Sequence, residues 1–481
     1  MKRIIIIGGG ITGLAATHRL LERGSEIVEP FEVTLLEASA RPGGTIYTEM
    51  RDGFVVERGP DSFISEKPEA LDLTRRLGIE DQLIETNSKL RRSFIIRKGR
   101  LQPVPEGFHL LAPARLWPFI YSRISSLRGK ARIAAELFIP RRIPNGKNDE
   151  SLAQFVRRRF GDEALVRIAQ PMVSGIYTAD PEKLSLRATF PRFLEMEAKH
   201  RSVILALLKA GKTSGTSGAR YSLFLSFQLG MQTLVDALVK AISNFGLPLD
   251  PDKKASIRLN ARVKSLWRVE DRGHSRWQAD IEGGEKLIGD AVLFTGSTRA
   301  AAGALSQLDS RLASELAAIR YASTATINLA FRRQDIAHPL NGFGFVVPFV
   351  EQRSVLACTF SSVKFAGRAP AGFVLLRAFI GGVLHPQVFA QDEPKIVAAV
   401  LKDLRDLLGV NGAPIFAEVS KWPDSMPQYE MGHLTRVATI RQELHTLPGL
   451  WLAGNAYGGP GIPDCIRSGE SAAEEILQFL K

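Results

Sequence analysis

Two kinds of hydrophobic pattern alternate along the first forty residues of the chain. Residues 3–7 are continuously apolar, as expected for a strand buried on both faces of a parallel sheet. Residues 12–23 have apolar side chains at helical spacing, and a second buried strand is predicted at 31–36. The order strand, helix, strand predicts a βαβ unit and therefore an α/β fold.

The same N-terminus also has the outline of a signal peptide, because Lys2 and Arg3 precede an apolar run. Three consecutive glycines at 8–10 would break the apolar core of such a peptide, whereas they suit a tight turn after a strand. We therefore expect a first β-strand and not a targeting segment.

The rest of the chain continues to alternate between the two periodicities. A helix is predicted at 68–78, and a hairpin at 91–105 with Lys98-Gly99 at its turn. The later predictions are amphipathic helices across 110–160, a polar glycine-rich loop at 212–220, a helix at 232–246, strands at 256–269, 275–282 and 287–296, a strand-rich region at 321–384 and a last helix at 465–480.

Residues 171–185, PMVSGIYTADPEKLS, fit neither periodicity. They begin with a proline, contain Gly175 between small and β-branched neighbours, and reach a second turn signal at Asp180-Pro181. The pattern predicts a turn-rich linker, and it contains no nucleophile motif or metal-ligand spacing.

Composition narrows the functional classes. Apolar residues form 45% and charged residues 23% of the 481-residue chain, which is typical of a soluble globular enzyme with two or three domains. Two cysteines, Cys358 and Cys465, exclude a disulfide framework and suit a reducing compartment. No apolar run reaches the roughly 20 residues needed to span a bilayer, and the eight histidines lack metal-ligand spacing. We expect no metal, and a location in the cytoplasm or on the cytoplasmic face of a membrane.

The positive charge is concentrated in one segment. Residues 91–159 contain sixteen Lys or Arg and four acidic residues, a surplus of +12 within a net charge of +13. Trp117 and Tyr121 are interleaved with these arginines, as in a segment that lies at a membrane interface. A solvated amphipathic helix is the alternative, and nucleic acid is disfavoured because no nucleic-acid-binding motif accompanies the charge.

The first strand leads into a dinucleotide fingerprint, Gly8-x-Gly10-x-x-Gly13. The first glycine permits a tight turn, the second allows the backbone to approach a pyrophosphate, and the third allows close packing of helix and strand. Glu37, at the end of the second strand, is placed to accept a hydrogen bond from a ribose hydroxyl. Together these features predict a bound dinucleotide, either NAD or FAD.

Later motifs favour FAD, because they resemble those of the FAD-dependent amine-oxidase superfamily. The stretch ASARPGGTIYT (38–48) resembles its second glycine motif, although Thr45 stands where an arginine is usual, and Glu57-Arg58-Gly59-Pro60 resembles its next flavin-contacting turn. The stretch LWLAGNAYGGPGIPDCIRSG (450–469) resembles its C-terminal motif, in which a helix N-terminus faces the flavin. The resemblance assigns one non-covalent FAD to Gly8, Gly10, Ile11, Thr12, Gly13, Glu37, Ala38, Arg41, Gly43, Gly44, Thr45, Gly59, Pro60, Val263, Thr295, Gly296, Gly454, Asn455, Gly461, Ile462 and Pro463.

Nearly the whole chain resembles the protoporphyrinogen and coproporphyrinogen oxidases of haem biosynthesis. The resemblance lies in PMVSGIYTADPEKLSLRATFP (171–191), GMQTL (230–234), GFGFVVP (342–348), FAGRAP (365–370) and MPQYEMGH (426–433), together with the C-terminal motif. It implies a porphyrinogen substrate, molecular oxygen as electron acceptor, and a helical insertion that docks on membranes. A second copy of the chain, as a homodimer, is a further candidate partner.

The resemblance also implies the substrate contacts. Gly175 matches a position whose backbone carbonyl accepts pyrrole N–H groups, and Val346 and Phe365 match positions that enclose the macrocycle. Arg92 is the candidate for a substrate carboxylate, with Ser93 as the alternative. No acid–base residue is assigned, because a flavin supplies the chemistry.

The resulting prediction is an FAD-dependent six-electron oxidation of protoporphyrinogen IX, in which a hydride passes to flavin N5 and reoxidation yields hydrogen peroxide. Coproporphyrinogen III is the first alternative, and a flavin enzyme acting on an amine or a polyene is the second. A third, of a different class, is an inactive FAD-binding scaffold at a membrane.

The predicted fold is an α/β protein whose Rossmann-type FAD domain is assembled from discontinuous segments, with an α+β substrate domain and an α-helical membrane-associated insertion. The predicted limits are 1–88, 211–300 and 426–481 for the FAD domain, 89–210 for the insertion and 301–425 for the substrate sheet.

Overall fold

The first strand lies at the centre of a five-stranded parallel sheet in the computed structural model, which describes residues 1–24, 30–142, 149–213, 224–244, 253–271 and 273–481. The sheet consists of β1 (Lys2–Ile7), β2 (Phe31–Leu36), β12 (Lys253–Arg258), β16 (Ala291–Phe294) and β22 (Leu450–Leu452). Their order is β12-β2-β1-β16-β22, and every neighbouring pair is parallel. The predicted βαβ start is confirmed, and strands far apart in sequence complete the sheet.

Each face of this sheet is covered by its own layer and core. One face packs against α1 (Ile11–Arg23), α2 (Glu69–Arg76), α11 (Gln232–Asn244) and α18 (Ile462–Leu480). The other face packs against antiparallel strands β13 (Val263–Asp271), β14 (His274–Ile281) and β15 (Lys286–Gly289), and against helices α12 (Thr298–Leu305), α13 (Ser310–Ala317) and α17 (His433–Leu444). Burial on both faces explains why β1 is apolar at every position from 4 to 7.

A second, seven-stranded sheet is mainly antiparallel. Its members are β7 (Phe94–Arg97), β8 (Arg100–Pro103), β17 (Tyr321–Arg332), β18 (Gly344–Val346), β19 (Ala357–Phe360), β20 (Phe373–Gly381) and β21 (Phe416–Pro427), in the order β21-β17-β20-β19-β18-β7-β8. One face forms a core with α16 (Glu393–Leu408) through residues such as Ile327, Phe345 and Leu376. Because side chains alternate along a strand, Asn328, Val346 and Arg377 belong to the opposite face.

A third region of the chain, from residue 116 to residue 213, is mainly helical. Its helices are α3 (Leu116–Tyr121), α4 (Leu127–Ala134), α5 (Leu152–Phe160), α6 (Asp162–Ala164), a π-helical turn (Leu165–Ala169), α7 (Gln170–Tyr177), α8 (Leu186–Thr189), α9 (Pro191–His200) and α10 (Val203–Thr213), around one core. Inside this core Arg159, which is fully buried, donates to the Glu136 carboxylate, and Val203 N–H donates to the same carboxylate at 2.9 Å.

Short elements join these parts. They are strand pairs β3 (Thr48–Arg51) with β4 (Phe54–Glu57) and β9 (Phe108–His109) with β10 (Ala112–Pro113), a sheet of β5 (Phe63–Ile64), β11 (Phe224–Phe227) and β6 (Leu83–Glu85), helices α14 (Ser361–Lys364) and α15 (Pro386–Phe389), and 3-10 turns at Glu80–Gln82, Ser88–Leu90, Ala135–Phe138, Arg333–Asp335 and Phe349–Glu351.

Three predictions of local structure need correction. The single strand predicted at 256–269 is two strands, β12 and β13, in different sheets, with Asn260 at a positive φ of 54° between them. The strand predicted at 287–296 divides into β15 and β16 at Asp290. Of the linker predicted at 171–185, residues 171–177 belong to helix α7, in which Pro171 occupies the first turn, where a helix tolerates proline.

Other predictions are confirmed with small shifts. The 91–105 hairpin is β7 and β8, the last helix starts at Ile462, three residues before the predicted start, and 110–160 contains helices that are short and interrupted. The predicted loop at 212–220 lies outside the described residues from 214 onward, as does the end of the helix predicted at 232–246. The predicted domain limits stay predictions.

Candidate functional site

The carboxyl ends of the parallel strands gather the predicted dinucleotide residues. Gly8, directly after β1, has a φ of +113°, which favours glycine. A Cβ at Gly13 would lie 2.0 Å from the Gly8 carbonyl oxygen, so helix and strand approach too closely for any side chain there. Gly10 is different, since a Cβ built on it meets no atom within 4 Å. The turn therefore combines a tightly packed base with an open rim, as a pyrophosphate cradle requires.

Helix α1 begins above this rim. Gly10 is its N-cap and forms no side-chain capping bond, so Ile11 and Thr12 open the helix with free first-turn amides. Helix α18 likewise begins without a side-chain cap, at Gly461, followed by Ile462 and Pro463. Two uncapped helix N-termini are suited to phosphate and carbonyl oxygens.

The two helices approach closely. A Cβ at Gly469 of α18 would lie 2.3 Å from the Thr12 carbonyl oxygen, and Cys465 hydrogen-bonds to Thr12. The third segment at this point contains Thr295 and Gly296, after β16. The Thr295 hydroxyl lies 3.0 and 2.9 Å from the Ile7 and Gly8 carbonyl oxygens, so it can donate its proton to either of them.

Glu37 and Ala38 follow β2 at the same edge of the sheet. The Glu37 carboxylate accepts the Gly9 N–H at 2.7 Å, while its backbone carbonyl accepts the Ala261 N–H at 2.8 Å. Val263 starts β13 two residues beyond Ala261, so the predicted ribose and adenine contacts lie together.

The second glycine segment pairs with the first. Gly43 N–H donates to the Gly9 carbonyl at 2.7 Å, and Gly43 and Gly44 both have positive φ. Arg41 folds back onto its own loop, donating to the Gly44 carbonyl at 2.6 Å and lying 4.4 Å above the Tyr47 ring. The guanidinium therefore shapes this loop. Thr45, also in this loop, is exposed.

The turn at Gly59-Pro60 packs against the loop that contains Thr45. A Cβ at Gly59 would lie 1.6 Å from the Thr45 carbonyl oxygen, so only glycine fits. The Gly59 carbonyl accepts a hydrogen bond from Arg377, which lies on the second face of the seven-stranded sheet. The glycine turn thus joins the two sheets.

A buried charge cluster surrounds this turn. Lys364 donates to both oxygens of Asp61 at 3.1 and 3.0 Å, and Arg377 lies 3.9 Å from the same carboxylate. Burial alone would raise the pKa of Asp61, but these two cations outweigh burial and hold that pKa below its ordinary value. Arg368 lies 3.9 Å from the Glu57 carboxylate, but burial outweighs this cation and raises the pKa of Glu57 to about 7.

Several buried polar atoms near this cluster have no partner among the described residues. They are Asn328 Oδ1, Ser361 Oγ, Arg377 Nε and Ser420 Oγ. Asn328 and Arg377 are paired positions of β17 and β20. Unpaired buried polar atoms are costly, so this face of the sheet is suited to a ligand or ordered water.

The predicted C-terminal cofactor motif follows β22, at the same edge of the parallel sheet. Gly454, with a φ of +135°, donates its N–H to the Ser468 hydroxyl at 3.0 Å, and the Asn455 side chain donates to the Ser425 carbonyl at 3.4 Å. All the predicted cofactor segments thus lie around the carboxyl edge of the parallel sheet and the adjacent Gly59 turn.

The predicted substrate residues lie on three adjoining elements. Gly175 is in the last turn of α7, where carbonyl groups have no partner within the helix, and a Cβ on it meets nothing within 4 Å. Val346 ends β18, which pairs in parallel with β7, and the exposed Arg92 precedes β7. The Arg92 carbonyl accepts the Phe343 N–H at 2.7 Å.

Phe365 is placed differently from these residues. Its side chain is only 1% exposed, and its ring lies 4.9 Å from Lys364 Nζ and 5.5 Å from the Arg368 guanidinium. It lines the interior beside the charge cluster.

Sequence reasoning missed Asp61, Lys364 and Arg377. Asp61 directly follows a recognised motif, and this proximity was the only available signal. Lys364 and Arg377 lie more than 300 residues away in sequence and look like ordinary charges of a helix end and a strand.

Two kinds of feature are absent from the residues that the structure describes. No group of three or more His, Cys, Asp or Glu there could hold a metal ion. No described helix is long and apolar enough to cross a membrane.

The chain is similar over nearly its whole length to known flavin enzymes. Residues 11–477 match the family model for flavin containing amine oxidoreductase. The chain is 35% identical to the coproporphyrinogen III oxidase of Bacillus subtilis, covering 100% of this chain and 98% of that protein. It is 29% identical to the chloroplastic protoporphyrinogen oxidase of Nicotiana tabacum, covering 99% and 85%.

A crystal structure of a candidate protoporphyrinogen oxidase from Exiguobacterium superposes with a TM-score of 0.86. The two proteins are 30% identical, and the match covers 99% of each chain. The similarity therefore extends over all the regions described above.

Proposed function

The chain belongs to the flavin-containing amine oxidoreductases, among the coproporphyrinogen and protoporphyrinogen oxidases, and on this premise we propose that it oxidises coproporphyrinogen III to coproporphyrin III. From the sequence alone, protoporphyrinogen IX is the first candidate substrate. The greater identity to the B. subtilis coproporphyrinogen III oxidase, 35% against 29% for the N. tabacum enzyme, favours the reverse order. Protoporphyrinogen IX is the second candidate.

One observation carries the proposal, namely the position of Gly175. Gly175 lies in the last turn of α7, where a Cβ built on it would meet no atom within 4 Å, and α7 contacts the strand that ends at Val346. A carbonyl without a helical partner can accept pyrrole N–H groups, and the exposed Arg92, which precedes the neighbouring strand β7, can pair with a peripheral carboxylate.

The cofactor we propose is one FAD. When bound, it supplies two-electron oxidation of the substrate and is reoxidised by molecular oxygen with release of hydrogen peroxide, three rounds giving six electrons. The amides of α1 and the rim at Gly10 would hold the diphosphate, and Glu37 would accept a hydrogen bond from the ribose. The N-terminus of α18 would present a positive dipole end to the flavin ring, which would favour its reduced, negatively charged form.

The cofactor is held without a covalent bond. Cys465 is the cysteine at the start of α18, and burial raises the pKa of its thiol to about 12. A thiol that remains protonated at neutral pH is a poor nucleophile. Denaturation should therefore release free FAD.

An anaerobic mixing experiment tests the substrate assignment. Purified holoenzyme is mixed with each porphyrinogen, and the visible absorbance of the oxidised flavin is followed. We expect faster bleaching with coproporphyrinogen III than with protoporphyrinogen IX. Bleaching by neither, together with bleaching by an amine or a polyene, would replace the proposal by another flavin oxidase. Bleaching by none of these would favour an inactive scaffold.

The carboxylate contact is tested by Arg92→Ala. Loss of a charge-assisted hydrogen bond weakens binding by about 1.5–3 kcal/mol, a ten- to hundredfold rise in KM, while flavin content stays unchanged. Arg91→Ala is the matched control on the adjacent exposed residue. Unchanged kinetics for Arg92→Ala would move the contact to Ser93 or elsewhere.

We also propose that the helical region contacts a membrane surface. Its interfacial surface is defined by Trp117, Tyr121, Leu127 and Phe138, whose exposed fractions are 70–82%. Lys130 links α3 to α4 by donating to the Ile120 carbonyl at 2.6 Å. Exposed aromatic residues among basic ones favour adsorption to anionic lipid.

A further inference from the structure

Residues 428–433, which we name the connector, join β21 to α17 and lie between the two halves of the candidate site. They form most of the MPQYEMGH motif, to which neither the cofactor nor the substrate assignment gives a role. The connector touches both the C-terminal cofactor loop at 454–461 and the segment that follows Gly175.

Two connector side chains shape the cofactor loop. The Tyr429 hydroxyl donates to the Asn455 carbonyl and accepts the Gly459 N–H at 2.8 Å, bridging both ends of the loop. His433 is stacked on Tyr429 with ring centroids 4.2 Å apart and planes 13° apart, and it hydrogen-bonds to the Ala456 backbone. Burial raises the pKa of Tyr429, so the phenol keeps the proton that it donates.

The connector also holds the substrate side. The Gln428 side-chain amide donates to the carbonyl of Tyr177, the last residue of α7, at 3.2 Å. Tyr177 lies two residues beyond Gly175, and its ring centroid is 6.0 Å from that of Tyr429.

Backbone bonds fix the same contact along the chain. Ser185 N–H donates to the Tyr429 carbonyl, and Met431 N–H donates to the Lys183 carbonyl, both at 2.8 Å. The connector is therefore tied to the segment 177–185 at its start, middle and end, while its side chains hold the cofactor loop.

We propose that the connector is a positioning unit that fixes the Gly175 carbonyl relative to the cofactor loop before α18, with Tyr429 acting on the cofactor side and Gln428 on the substrate side. This inference rests on the proposed function for its substrate half only. Neither residue touches reacting atoms. Each acts through a backbone group that lies beside the cofactor or the substrate.

Two variants test the cofactor side and the substrate side of the connector separately. Tyr429→Phe keeps the ring and its stacking but removes both hydroxyl bonds, and Gln428→Met keeps the length but removes the amide bond. In the holoenzyme, Tyr429→Phe should weaken FAD binding at least fivefold, shift the visible spectrum of the bound flavin and lower kcat. Gln428→Met should raise KM for coproporphyrinogen III at least threefold and leave the FAD dissociation constant and the flavin spectrum unchanged.

Tyr321→Phe is the matched control. Its hydroxyl accepts the Thr298 N–H at 3.0 Å, so this variant also loses a hydrogen bond of a largely buried phenol, but in the core beneath α12. We expect it to change thermal stability without changing the flavin spectrum. A Tyr429→Phe enzyme that matches Tyr321→Phe in flavin affinity, spectrum and kcat would overturn the proposal.

The double variant tests whether the connector acts as one unit. We expect non-additive effects on kcat/KM, by at least threefold, because Gln428 and Tyr429 are neighbours in the connector and each bond helps to hold the same stretch of backbone in place. Independent, multiplicative effects would overturn the claim of a unit. A wild-type enzyme that oxidises no porphyrinogen would defeat the proposed function, while FAD affinity and spectrum would still decide the role of Tyr429.

Discussion

Gly10→Ala should separate folding from cofactor binding. Gly10 has a φ of −71° and a ψ of 178°, extended values that alanine adopts without strain, and the new methyl group would meet no protein atom within 4 Å. The substitution therefore places a methyl group only in the space through which a diphosphate would approach the backbone.

The two expected effects have opposite signs. Replacing glycine by alanine in a compatible conformation stabilises a fold by about 0.4–1 kcal/mol, so the melting temperature of the cofactor-free protein should stay constant or rise slightly. At a free FAD concentration 100 times the wild-type Kd, the ligand stabilises wild type by about 2.7 kcal/mol. If the methyl group weakens binding 100-fold, that stabilisation falls to about 0.4 kcal/mol.

The assay is a thermal melt with and without FAD, combined with an FAD titration followed by flavin fluorescence. Gly303→Ala, at an exposed and open position in α12, controls for the general effect of the substitution. Gly13→Ala provides the contrast, because its methyl group would collide with the Gly8 carbonyl and should destabilise the protein even without FAD. An FAD Kd for Gly10→Ala within twofold of wild type would refute the idea that the diphosphate approaches this glycine.

Three further predictions concern stability and surface binding. Burial raises the pKa of Glu57 from 4.5 to about 7, so the folded state binds this proton more tightly, and the free energy of unfolding should fall by on the order of 3 kcal/mol as pH rises from 4.5 through 7. In urea titrations at pH 5 and pH 8, Glu57→Gln should remove that decline, and an unchanged decline would contradict the raised pKa. Arg159→Met leaves the Glu136 carboxylate buried without its cation and should lower the free energy of unfolding in urea by about 3–5 kcal/mol. Adding Glu136→Gln should restore part of that free energy, and a loss below about 1 kcal/mol for Arg159→Met would contradict a tightly coupled pair. The double variant Trp117→Ser, Tyr121→Ser should reduce severalfold the fraction of protein that sediments with anionic vesicles, whereas Met50→Ser, at a 57% exposed apolar position elsewhere, should not. Equal sedimentation of all variants would contradict the interfacial surface.

Local signals were sufficient for the first half of the cofactor site. The spacing of Gly8, Gly10 and Gly13, with Glu37 after the next strand, follows from short-range backbone geometry, and the structure has the predicted elements there. The same holds for the hairpin at Lys98-Gly99, where the turn residues define the two strands.

The hydrophobic pattern does not show which of the sheets a predicted strand belongs to. A continuous run of strand-forming residues at 256–269 does not reveal that the chain leaves a parallel sheet at Arg258 and enters an antiparallel one at Val263. Periodicity reports which face of a strand is buried, and it contains no information about the neighbouring strand.

The second half of the site depended on distant contacts. The bonds from Arg377 to Gly59 and from Tyr429 to Asn455 join residues that are 318 and 26 positions apart. Pro171 and Gly175 suggested a linker, because their propensities disfavour helix, but packing in the helical core outweighs that preference.

The order of strands in the parallel sheet has a consequence for biosynthesis. Strand β1 pairs with β16, about 290 residues later, and helix α18, which borders the proposed cofactor site, follows both strands in the chain. At a synthesis rate of roughly 5–20 residues per second, β16 is made tens of seconds after β1, and one edge of β1 stays unpaired until then. If the chain binds FAD as we propose, its site at the two helix N-termini is complete only once α18 has been synthesised, and a chain that stops before Ile462 should lack half of it.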